Sequence, residues 1–307
     1  MAVSIIGAGA IGLLIAAHLK HAGVEVTLYT RTKTQAKKLE EEGVYLTYDG
    51  NDRHVRVRAN KLTLEEKIID PIIIVTVKQY QLATVLPFLK QNSDGKTFIF
   101  IQNGMGHLSH LKELHHCQII LGIVEHGATK INENKVIHTG LGKTKIAYYT
   151  EKGNHSLCAF IQSWGTPYFP IEFQTDWYEM LAYKLVANAV INPLTAIFQV
   201  TNGTLLTNDY LFKLMRNLFH ETVRVLELEE QKLWDYVVTI CKQTAKNQSS
   251  MLRDIQAKRR TEIDAISGYI IERAKEQGIN VPYTIFIFNS IKAYEQLDKK
   301  EGRQNGN

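Results

Sequence analysis

The feature that most constrains this chain is the glycine-rich string GAGAIG over residues 7–12. It follows an apolar, β-branched run over residues 3–6 and precedes an apolar stretch with helical periodicity that reaches His21. Between a strand and a helix, G-x-G-x-x-G is typical of a dinucleotide-binding turn, in which backbone N–H groups and the helix N-terminus approach a pyrophosphate. We therefore predict a cofactor-binding turn built from Gly7, Ala8, Gly9, Ala10, Ile11 and Gly12.

The residues after the second predicted strand discriminate between NAD and NADP. An NAD site usually carries an Asp or Glu about 20 residues after the glycines, where it bonds the ribose 2′-hydroxyl. This chain has Arg31 instead, between Thr30 and Thr32. A guanidinium offers a planar set of donors that suits a 2′-phosphate, and the two threonine hydroxyls could add hydrogen bonds. Arg31 as a solvated loop charge is the alternative, but the pattern favours NADP(H).

Composition excludes several classes of protein. The 307 residues are 45 % hydrophobic with a net charge of +5, which suits anionic small ligands but is too weak to indicate nucleic-acid binding. The three cysteines lie far apart, which argues against a disulfide scaffold. His107, His110, His115 and His116 match no zinc spacing, and the sequence has no G-x-S-x-G hydrolase motif. We therefore expect neither a metal nor a nucleic-acid partner.

A membrane location has to be considered because no charged side chain precedes Lys20. A signal peptide needs a basic stretch before its apolar run, which is missing here, and the dinucleotide turn already explains the glycines. No later stretch is expected to supply the roughly 20 apolar residues that span a bilayer. We therefore expect a cytoplasmic protein without a membrane partner.

The sequence pattern predicts two domains. Short β-branched runs alternate with amphipathic stretches in the first half, which is typical of a parallel sheet with crossover helices, whereas the pattern from Trp177 onward is helical. We predict an α/β Rossmann domain over residues 1–170 and an all-α domain over residues 171–307. The runs 135–139 and 143–149 are predicted to pair as an antiparallel hairpin at a sheet edge.

Polar residues follow two of the predicted central strands. Lys78 comes after the run at residues 72–77, and Asn103 comes after the run at residues 97–101. Ligands of open α/β sheets bind outside the carboxyl ends of the strands, so Lys78 is a candidate contact for phosphate or substrate charge. Asn103 is a candidate contact for the nicotinamide ribose or the substrate. The alternative is that both residues bond the local loop backbone.

The helical half carries a polar stripe on an apolar background. Lys184, Asn188 and Asn192 recur at i, i+4 and i+8, which places them on one face of a helix. Burying a cation and two amides without partners is costly, so they are candidate site residues, with structural bonds to other helices as the alternative. Pro193 disfavours a helical conformation at Asn192, so the helix is predicted to bend or end there.

A second polar set lies within residues 247–268. Either Ser249 or Ser250 is predicted to cap a helix, and Thr261 is predicted to cap the next one. Asp264, three residues after Thr261, would complete a capping box. Capping does not explain Glu262, so a functional role is open for it.

Six strings along nearly the whole chain carry a family resemblance: GAGAIG, VKQYQ, QNGMG, KLVANAVINPLTA, SSML and TEIDAISGYI. With them the chain strongly resembles the ketopantoate reductase (2-dehydropantoate 2-reductase) family, NADPH-dependent enzymes of pantothenate synthesis. The asparagine-proline string and the SSML–TEID pair are specific to this family, whereas the glycine fingerprint is widespread. The resemblance implies a Rossmann domain followed by a helical domain like the C-terminal domain of 6-phosphogluconate dehydrogenase.

The resemblance also implies roles for individual residues. It places Lys184 at the catalytic proton donor and Glu262 at the acidic position beside the cofactor and that lysine. Asn103 matches a residue that touches both ligands, and Lys78 and Ala128 match cofactor contacts. The positions that match substrate contacts are Asn103, Lys184, Asn188, Asn192, Asn202 and Ser250.

The reaction implied by the resemblance is hydride transfer from C4 of NADPH to the C2 ketone of 2-dehydropantoate, giving (R)-pantoate. Lys184 would stabilise the developing alkoxide and act as general acid. Two alternatives remain: a reductase of another branched 2-oxo acid, and a non-enzymatic module that senses NADP(H). We expect a small-molecule 2-oxo acid as the partner and treat a homodimer as the working assembly. Gln79 and Glu125 depart from the family pattern at the cofactor edge.

Overall fold

The chain divides into two compact units. The computed structural model describes residues 2–150 and 155–304. The first unit comprises Met1–Gln102 and Leu108–Met180, and the second comprises Asn103–His107 and Leu181–Asn307. The chain therefore leaves the first unit for one short loop before returning to it. The two domains predicted from the sequence, residues 1–170 and 171–307, were assigned by function, and their boundary stays a prediction.

In the part of the chain that the structure describes, the first unit contains all of the strands and five of the helices. The strands are β1 (Ala2–Ile6), β2 (Glu25–Thr30), β3 (Val44–Tyr48), β4 (Asn51–Val55), β5 (Arg58–Lys61), β6 (Ile72–Val75), β7 (Thr97–Phe100), β8 (Gln118–Val124), β9 (Gly127–Lys130), β10 (Lys135–Gly140), β11 (Thr144–Tyr148) and β12 (Ile171–Phe173). The helices are α1 (Ala10–His21), α2 (Lys33–Glu42), α3 (Gln79–Gln91), α4 (Leu108–Leu111) and α5 (His155–Gln162).

The second unit has helices and connecting loops, and no strand, among its described residues. Its helices are α6 (Trp177–Phe198), which starts in the first unit, α7 (Thr204–Thr207), α8 (Asp209–Leu226), α9 (Glu230–Gln243), α10 (Ser250–Gln256), α11 (Tyr269–Gln277) and α12 (Pro282–Gln304). A π-helical turn, Asp264–Gly268, lies between α10 and α11. The predicted succession of an α/β domain and an all-α domain is therefore confirmed.

The main sheet has the strand order β12-β11-β8-β7-β6-β1-β2-β5. From β8 to β5 all neighbouring strands are parallel, and their order is the 3-2-1-4-5-6 arrangement of a doubly wound dinucleotide-binding sheet. Strands β6 and β7 are buried along their whole length, as expected for central strands covered by helices on both faces. The order reverses between β1 and β6, which is where such sheets bind ligands.

A second sheet of four strands corrects the predicted hairpin. Its order is β4-β3-β10-β9, whereas β11 belongs to the main sheet and pairs antiparallel with β8. The pairing predicted between residues 135–139 and 143–149 is therefore wrong. Both runs have strand-like alternation, but β11, with its buried Ile146 and Ala147, pairs within the main sheet instead of with its neighbour in sequence. Local alternation identifies a strand and does not identify its partner.

Helix α6 does not end at Asn192. It continues through Pro193 to Phe198, because only one backbone N–H is lost at proline and the rest of the helix stays hydrogen-bonded. Contrary to expectation, α6 is also long and apolar enough to cross a membrane by length and composition. However, 72 % of its most apolar window is buried inside the protein, which is the behaviour of a core helix.

The predicted helix caps are half confirmed. The Oγ of Ser249 accepts a hydrogen bond from the N–H of Leu252 at 3.1 Å and caps α10. The hydroxyl of Thr261 also accepts a backbone N–H, that of Ile263 at 3.2 Å. The capping box with Asp264 is wrong, because the Asp264 carboxylate accepts hydrogen bonds from Arg260 and Lys292, each at 3.1 Å. Two cations are stronger partners for a carboxylate than a backbone amide.

Candidate active site

The glycine turn has the geometry that the sequence predicts. Gly7 has a φ of 107°, which favours glycine, and its N–H donates to the carbonyl of Tyr29 at 2.9 Å. A Cβ on Gly12 would overlap the carbonyl oxygen of Gly7, so glycine is needed where α1 approaches the turn. A Cβ on Gly9 would meet no atom within 4 Å. The turn is therefore tight on its inner side and has open space at Gly9.

The start of α1 suits an anion. Ala10 and Ile11 are its first residues, and its first turn contains no acidic side chain. Ala8, which is part of the turn, is itself buried. The partial positive charge at the helix N-terminus is therefore not neutralised by a carboxylate from the same turn.

Lys78 lies beside the glycine turn. The hydroxyl of Thr76 donates to the carbonyl of Gly7 at 2.7 Å, and a Cβ on Gly7 would lie 3.0 Å from the backbone nitrogen of Val77. Lys78 is the half-buried residue that precedes α3, and its N–H donates to Oε1 of Gln81 at 3.2 Å. The structure therefore brings Lys78 to the point where the strand order reverses.

In the loop after β2, Arg31 is the side chain that stays available to bind a ligand. The hydroxyl of Thr30 donates to the carbonyl of Thr32 at 2.8 Å, and the hydroxyl of Thr32 accepts from the N–H of Gln35 at 3.3 Å as the cap of α2. Both hydroxyls thus serve the loop and the helix. Arg31 is exposed and has no recorded ion pair in residues 2–150 and 155–304.

Ala128 and Glu125 lie in the same unit as the glycine turn. Ala128 is a half-buried residue of β9, a strand that packs against α1. The Glu125 carboxylate forms an ion pair with Lys145 at 2.9 Å. The departure from the family pattern at Glu125 is therefore matched by a cation on the neighbouring strand.

The loop after β7 joins the second unit through Asn103. Its Nδ2 donates to Oε2 of Glu262 at 2.8 Å, and Glu262 is only 7 % exposed. Gly104 has a φ of 75°, and a Cβ there would overlap the carbonyl oxygen of Ala265. The N–H of Met105 donates to the same oxygen at 3.3 Å. Two predicted site residues that lie 159 positions apart are thus in direct contact.

The segment that carries Glu262 is anchored by Glu295 of α12. Oε1 of Glu295 accepts from both the N–H and the hydroxyl of Thr261, each at 2.7 Å. Lys292 lies 3.2 Å from Glu295 and 3.1 Å from Asp264. Burial raises the pKa of Asp264, but hydrogen bonds from two neighbouring cations outweigh burial and hold that pKa below its usual value. The residues on both sides of Glu262 are therefore tied to α12.

Lys184, Asn188 and Asn192 share one face of α6, as predicted. Lys184 and Asn188 are half-buried, and Asn192 is 8 % exposed. In the part of the chain that the structure describes, no hydrogen bond is recorded from the side-chain amide of Asn188 or of Asn192. Both amides therefore retain donors and an acceptor for a ligand.

Asn202 and Ser250 lie in the same unit as this stripe. The N–H of Asn202 donates to the carbonyl of Asn247 at 3.0 Å, and its Nδ2 donates to Oγ1 of Thr244 at 2.8 Å. Its Oδ1 is buried and has no partner among the described residues. Ser250 is exposed and is the first residue of α10. Asn202 is thus held by internal bonds, whereas Ser250 is an exposed residue at a helix start.

Sequence reasoning missed two residues that organise this region. Glu295 anchors Thr261, and the fully buried hydroxyl of Thr195 contacts Ser249. Glu295 is three residues after Lys292, which in sequence resembles an ordinary exposed helical ion pair. Thr195 stands in the apolar string INPLTAIF, and a polar side chain in such a run is the signal that could have found it.

The fold and the polar groups define a class of protein: a two-unit oxidoreductase with a dinucleotide-binding sheet and a helical unit that carries a cation and free amides. Comparisons with known proteins identify the family. The family model described as "Ketopantoate reductase PanE/ApbA" matches residues 3–151, and "Ketopantoate reductase PanE/ApbA C terminal" matches residues 176–295. The chain belongs to the ketopantoate reductase family, and it is an NADP-dependent oxidoreductase.

Similar proteins cover almost the whole chain. A 2-dehydropantoate 2-reductase of Bacillus subtilis is 42 % identical over 306 residues, which is 98 % of this chain and 99 % of the relative. The protein of the same name from Listeria innocua is 38 % identical over 295 residues, 95 % of this chain and 96 % of the relative.

Solved structures agree on the fold. The crystal structure of a probable 2-dehydropantoate 2-reductase from B. subtilis has a TM-score of 0.88 at 39 % identity and covers 96 % of this chain and 100 % of that one. A D-mandelate dehydrogenase solved with NADH and anilino(oxo)acetate has a TM-score of 0.87 at 21 % identity, covering 97 % of this chain and 99 % of that one. The second likeness shows the fold alone.

Proposed function

We propose that the chain reduces the C2 ketone of 2-dehydropantoate with NADPH to give (R)-pantoate, a step of pantothenate and coenzyme A biosynthesis. The observation that carries this proposal is the stripe of Lys184, Asn188 and Asn192 on a helix that is mostly apolar and largely buried. One cation and two neutral amides suit a substrate with a carboxylate, a hydroxyl and a carbonyl that becomes an alkoxide.

The residues of the first unit fit NADPH. The open space at Gly9 and the acid-free start of α1 suit the pyrophosphate, and the exposed guanidinium of Arg31 suits the 2′-phosphate. We assign cofactor contacts to Gly7, Ala8, Gly9, Ala10, Ile11, Gly12, Arg31, Lys78, Asn103, Ala128 and Glu262. When bound, NADPH supplies a hydride from C4 of its nicotinamide.

We assign the proton chemistry to Lys184. Its ammonium lies on the face of α6 with the two amides, where it stabilises negative charge that develops on the C2 oxygen and donates the proton to that oxygen. We assign to Glu262, a buried carboxylate that Asn103 holds in place, the role of pairing with this ammonium and orienting it. Lys184 and Glu262 are thus the proposed catalytic residues.

We assign substrate binding to the second unit. Asn188 and Asn192 bond the substrate without competing for its proton, because amides do not titrate. Ser250 places a hydroxyl at the N-terminus of α10, where a carboxylate is favoured. The full set of proposed substrate contacts is Asn103, Lys184, Asn188, Asn192, Asn202 and Ser250.

The proposal includes a setting for the enzyme. We place it in the cytoplasm as a homodimer that acts on a small 2-oxo acid, with neither nucleic acid nor a membrane as a partner. Light scattering of the purified chain tests the assembly, and a mass of 34.9 kDa, that of the single chain, would contradict the dimer.

A substrate panel tests the proposed reaction. NADPH oxidation is followed by absorbance with 2-dehydropantoate and with other branched 2-oxo acids, and each reaction is repeated with NADH. We expect the highest kcat/KM with 2-dehydropantoate and NADPH. Faster turnover of another acid would change the substrate. No turnover of any acid together with intact NADPH binding would favour an NADP(H)-sensing module.

A further inference from the structure

Thr195 and Ser249 form a buried pair of hydroxyls that the proposed chemistry does not use. Thr195 is completely buried near the end of α6, and Ser249, which precedes α10, is 6 % exposed. Their Oγ atoms lie 2.8 Å apart, although 54 positions separate them in sequence. A buried hydroxyl is costly unless it is hydrogen-bonded, so this contact is a specific link between two helices.

Each hydroxyl is also bonded within its own helix. Oγ1 of Thr195 lies 2.8 Å from the carbonyl oxygen of Ile191 and 3.0 Å from that of Asn192. Oγ of Ser249 accepts the N–H of Leu252 at 3.1 Å. A capping serine on a protein surface can satisfy its remaining hydrogen-bonding capacity with water. Because Ser249 is buried, Thr195 supplies that partner instead.

The link joins two proposed substrate contacts. On α6, the Thr195 hydroxyl bonds the main-chain carbonyl of Asn192. On the other side of the link, Ser250, the first residue of α10, directly follows Ser249. We infer that Thr195 is a positioning residue that fixes the start of α10, and with it the hydroxyl of Ser250, relative to the amide of Asn192. This inference rests on the proposed function, and its consequence is that Thr195 sets the affinity for the 2-oxo acid.

The effect should be selective, because all the residues of the link lie in the second unit and the glycine turn lies in the first. Thr195→Val keeps the shape of the side chain but leaves the buried Ser249 hydroxyl without this partner. We expect the KM for 2-dehydropantoate to rise about tenfold, which corresponds to about 1.4 kcal/mol, the cost of one such lost bond. We expect the dissociation constant of NADPH, measured by fluorescence titration, to stay within about twofold. Thr195→Ser keeps the hydroxyl and should restore the KM to within about threefold.

Thr222 of α8 offers a matched control. It is also buried, at 1 % exposed, and its hydroxyl donates to the carbonyl of Leu218 at 2.8 Å, one turn earlier in its own helix. No hydrogen bond from its hydroxyl to a second helix is recorded in residues 155–304. Thr222→Val removes the same kind of intrahelical bond from the same unit, so its KM should equal that of the unmodified chain.

A second variant approaches the link from the other helix. Ser249→Gly removes the hydroxyl, and glycine is itself an acceptable cap, so α10 should still form. We expect the same selective rise in KM as for Thr195→Val. Equal KM values for the unmodified chain and either variant would overturn the inference, and so would parallel losses of substrate and NADPH affinity.

Hydrogen exchange separates this inference from the proposed function. In the full chain, the Leu252 amide should exchange faster in Thr195→Val than in the unmodified chain, and Thr195→Ser should restore its protection. This result does not depend on turnover. Unchanged exchange would overturn the link even in an active enzyme, whereas faster exchange in a chain without activity on 2-dehydropantoate would overturn the proposed function alone.

Discussion

The two units build their candidate sites by different means. In the first unit, the site is a backbone turn over residues 7–12, and it depends on the missing side chains of Gly7 and Gly12. In the second unit, the site depends on side chains from distant segments, of which Asn103 and Glu262 are the clearest pair. A backbone site depends on local steric fit, whereas a side-chain site depends on long-range hydrogen bonds that tertiary packing must complete.

The difference has energetic consequences. A side chain added in the turn acts in one of two ways: its Cβ overlaps neighbouring atoms, or it keeps a ligand from approaching the backbone. The space around that Cβ shows which of the two applies. A substitution in the second unit leaves a buried partner unsatisfied, at a typical cost of about 1–3 kcal/mol. In the first unit, a substitution should therefore change either ligand affinity or the free energy of unfolding. In the second unit, a substitution that breaks a buried hydrogen bond should change both.

The largest expected effect concerns Lys184. We expect Lys184→Ala to lower kcat about 1000-fold, because both charge stabilisation and proton donation at the C2 oxygen are lost. The dissociation constant of NADPH should change less than about twofold, since the cofactor turn is built by the other unit. Steady-state kinetics and fluorescence titration measure the two quantities. Lys213→Ala, an exposed lysine of α8, is the control, and a comparable kcat in Lys184→Ala would remove this residue from the mechanism.

The next prediction concerns two glycines of one turn. Gly12→Ala should lower the free energy of unfolding by about 3 kcal/mol, because its Cβ overlaps the carbonyl oxygen of Gly7. Gly9→Ala meets no atom within 4 Å, so its stability should change by less than about 0.5 kcal/mol while its NADPH affinity falls about tenfold. Urea unfolding and NADPH titration test both. Equal stability losses in the two variants would break the distinction between inner and ligand-facing glycines.

Arg31 should decide the choice of cofactor. We expect Arg31→Ala to raise the dissociation constant of NADPH about 30-fold, since a hydrogen bond to a charged group contributes about 2 kcal/mol. NADH, which lacks the 2′-phosphate, should bind as before. Arg58→Ala, another exposed arginine of the same unit, is the control. If both arginine variants bind NADPH like the unmodified chain, the phosphate contact lies elsewhere.

Three buried histidines should make the first unit sensitive to acid. Nδ1 of His126 lies 3.0 Å from Nε2 of His138, and Nε2 of His18 lies 3.4 Å from Nδ1 of His138. Burial is the main cause that lowers the pKa of His18 to about 3 and that of His126 to about 4, and it also lowers the pKa of His138.

The sign of the acid effect follows from these directions. The histidines are neutral in the folded chain, whereas the unfolded chain takes up protons below its ordinary pKa of 6.5. The contribution of these histidines to the free energy of unfolding is therefore complete above pH 6.5. It decreases as the pH falls toward their folded-state pKa values, by about 1.4 kcal/mol per pH unit for each histidine. Urea unfolding at pH 7, 6 and 5 measures the slope. His126→Gln, whose amide oxygen can still accept the N–H of Gly142, should make the slope shallower, and an unchanged slope would contradict the assignment.

Local sequence signals predicted individual helices and strands better than they predicted the partners of those elements. The bounds of α1, Ala10–His21, agree with the glycine and periodicity pattern, because helix formation there depends on neighbours in sequence. The hairpin at residues 135–149 failed because strand alternation is the same for any partner. The capping box at Asp264 failed because Lys292, on another helix, competes for its carboxylate.

The sequence by itself determined the glycine turn, the order of an α/β unit and a helical unit, and the stripe of Lys184, Asn188 and Asn192, since each depends on spacing along one strand or helix. Only the tertiary structure decided that Asn103 contacts Glu262, that Glu295 anchors Thr261 and that Thr195 contacts Ser249. These contacts join residues distant in sequence. They form because a buried polar group must find a partner, and the packing of the helices determines which partner is within reach.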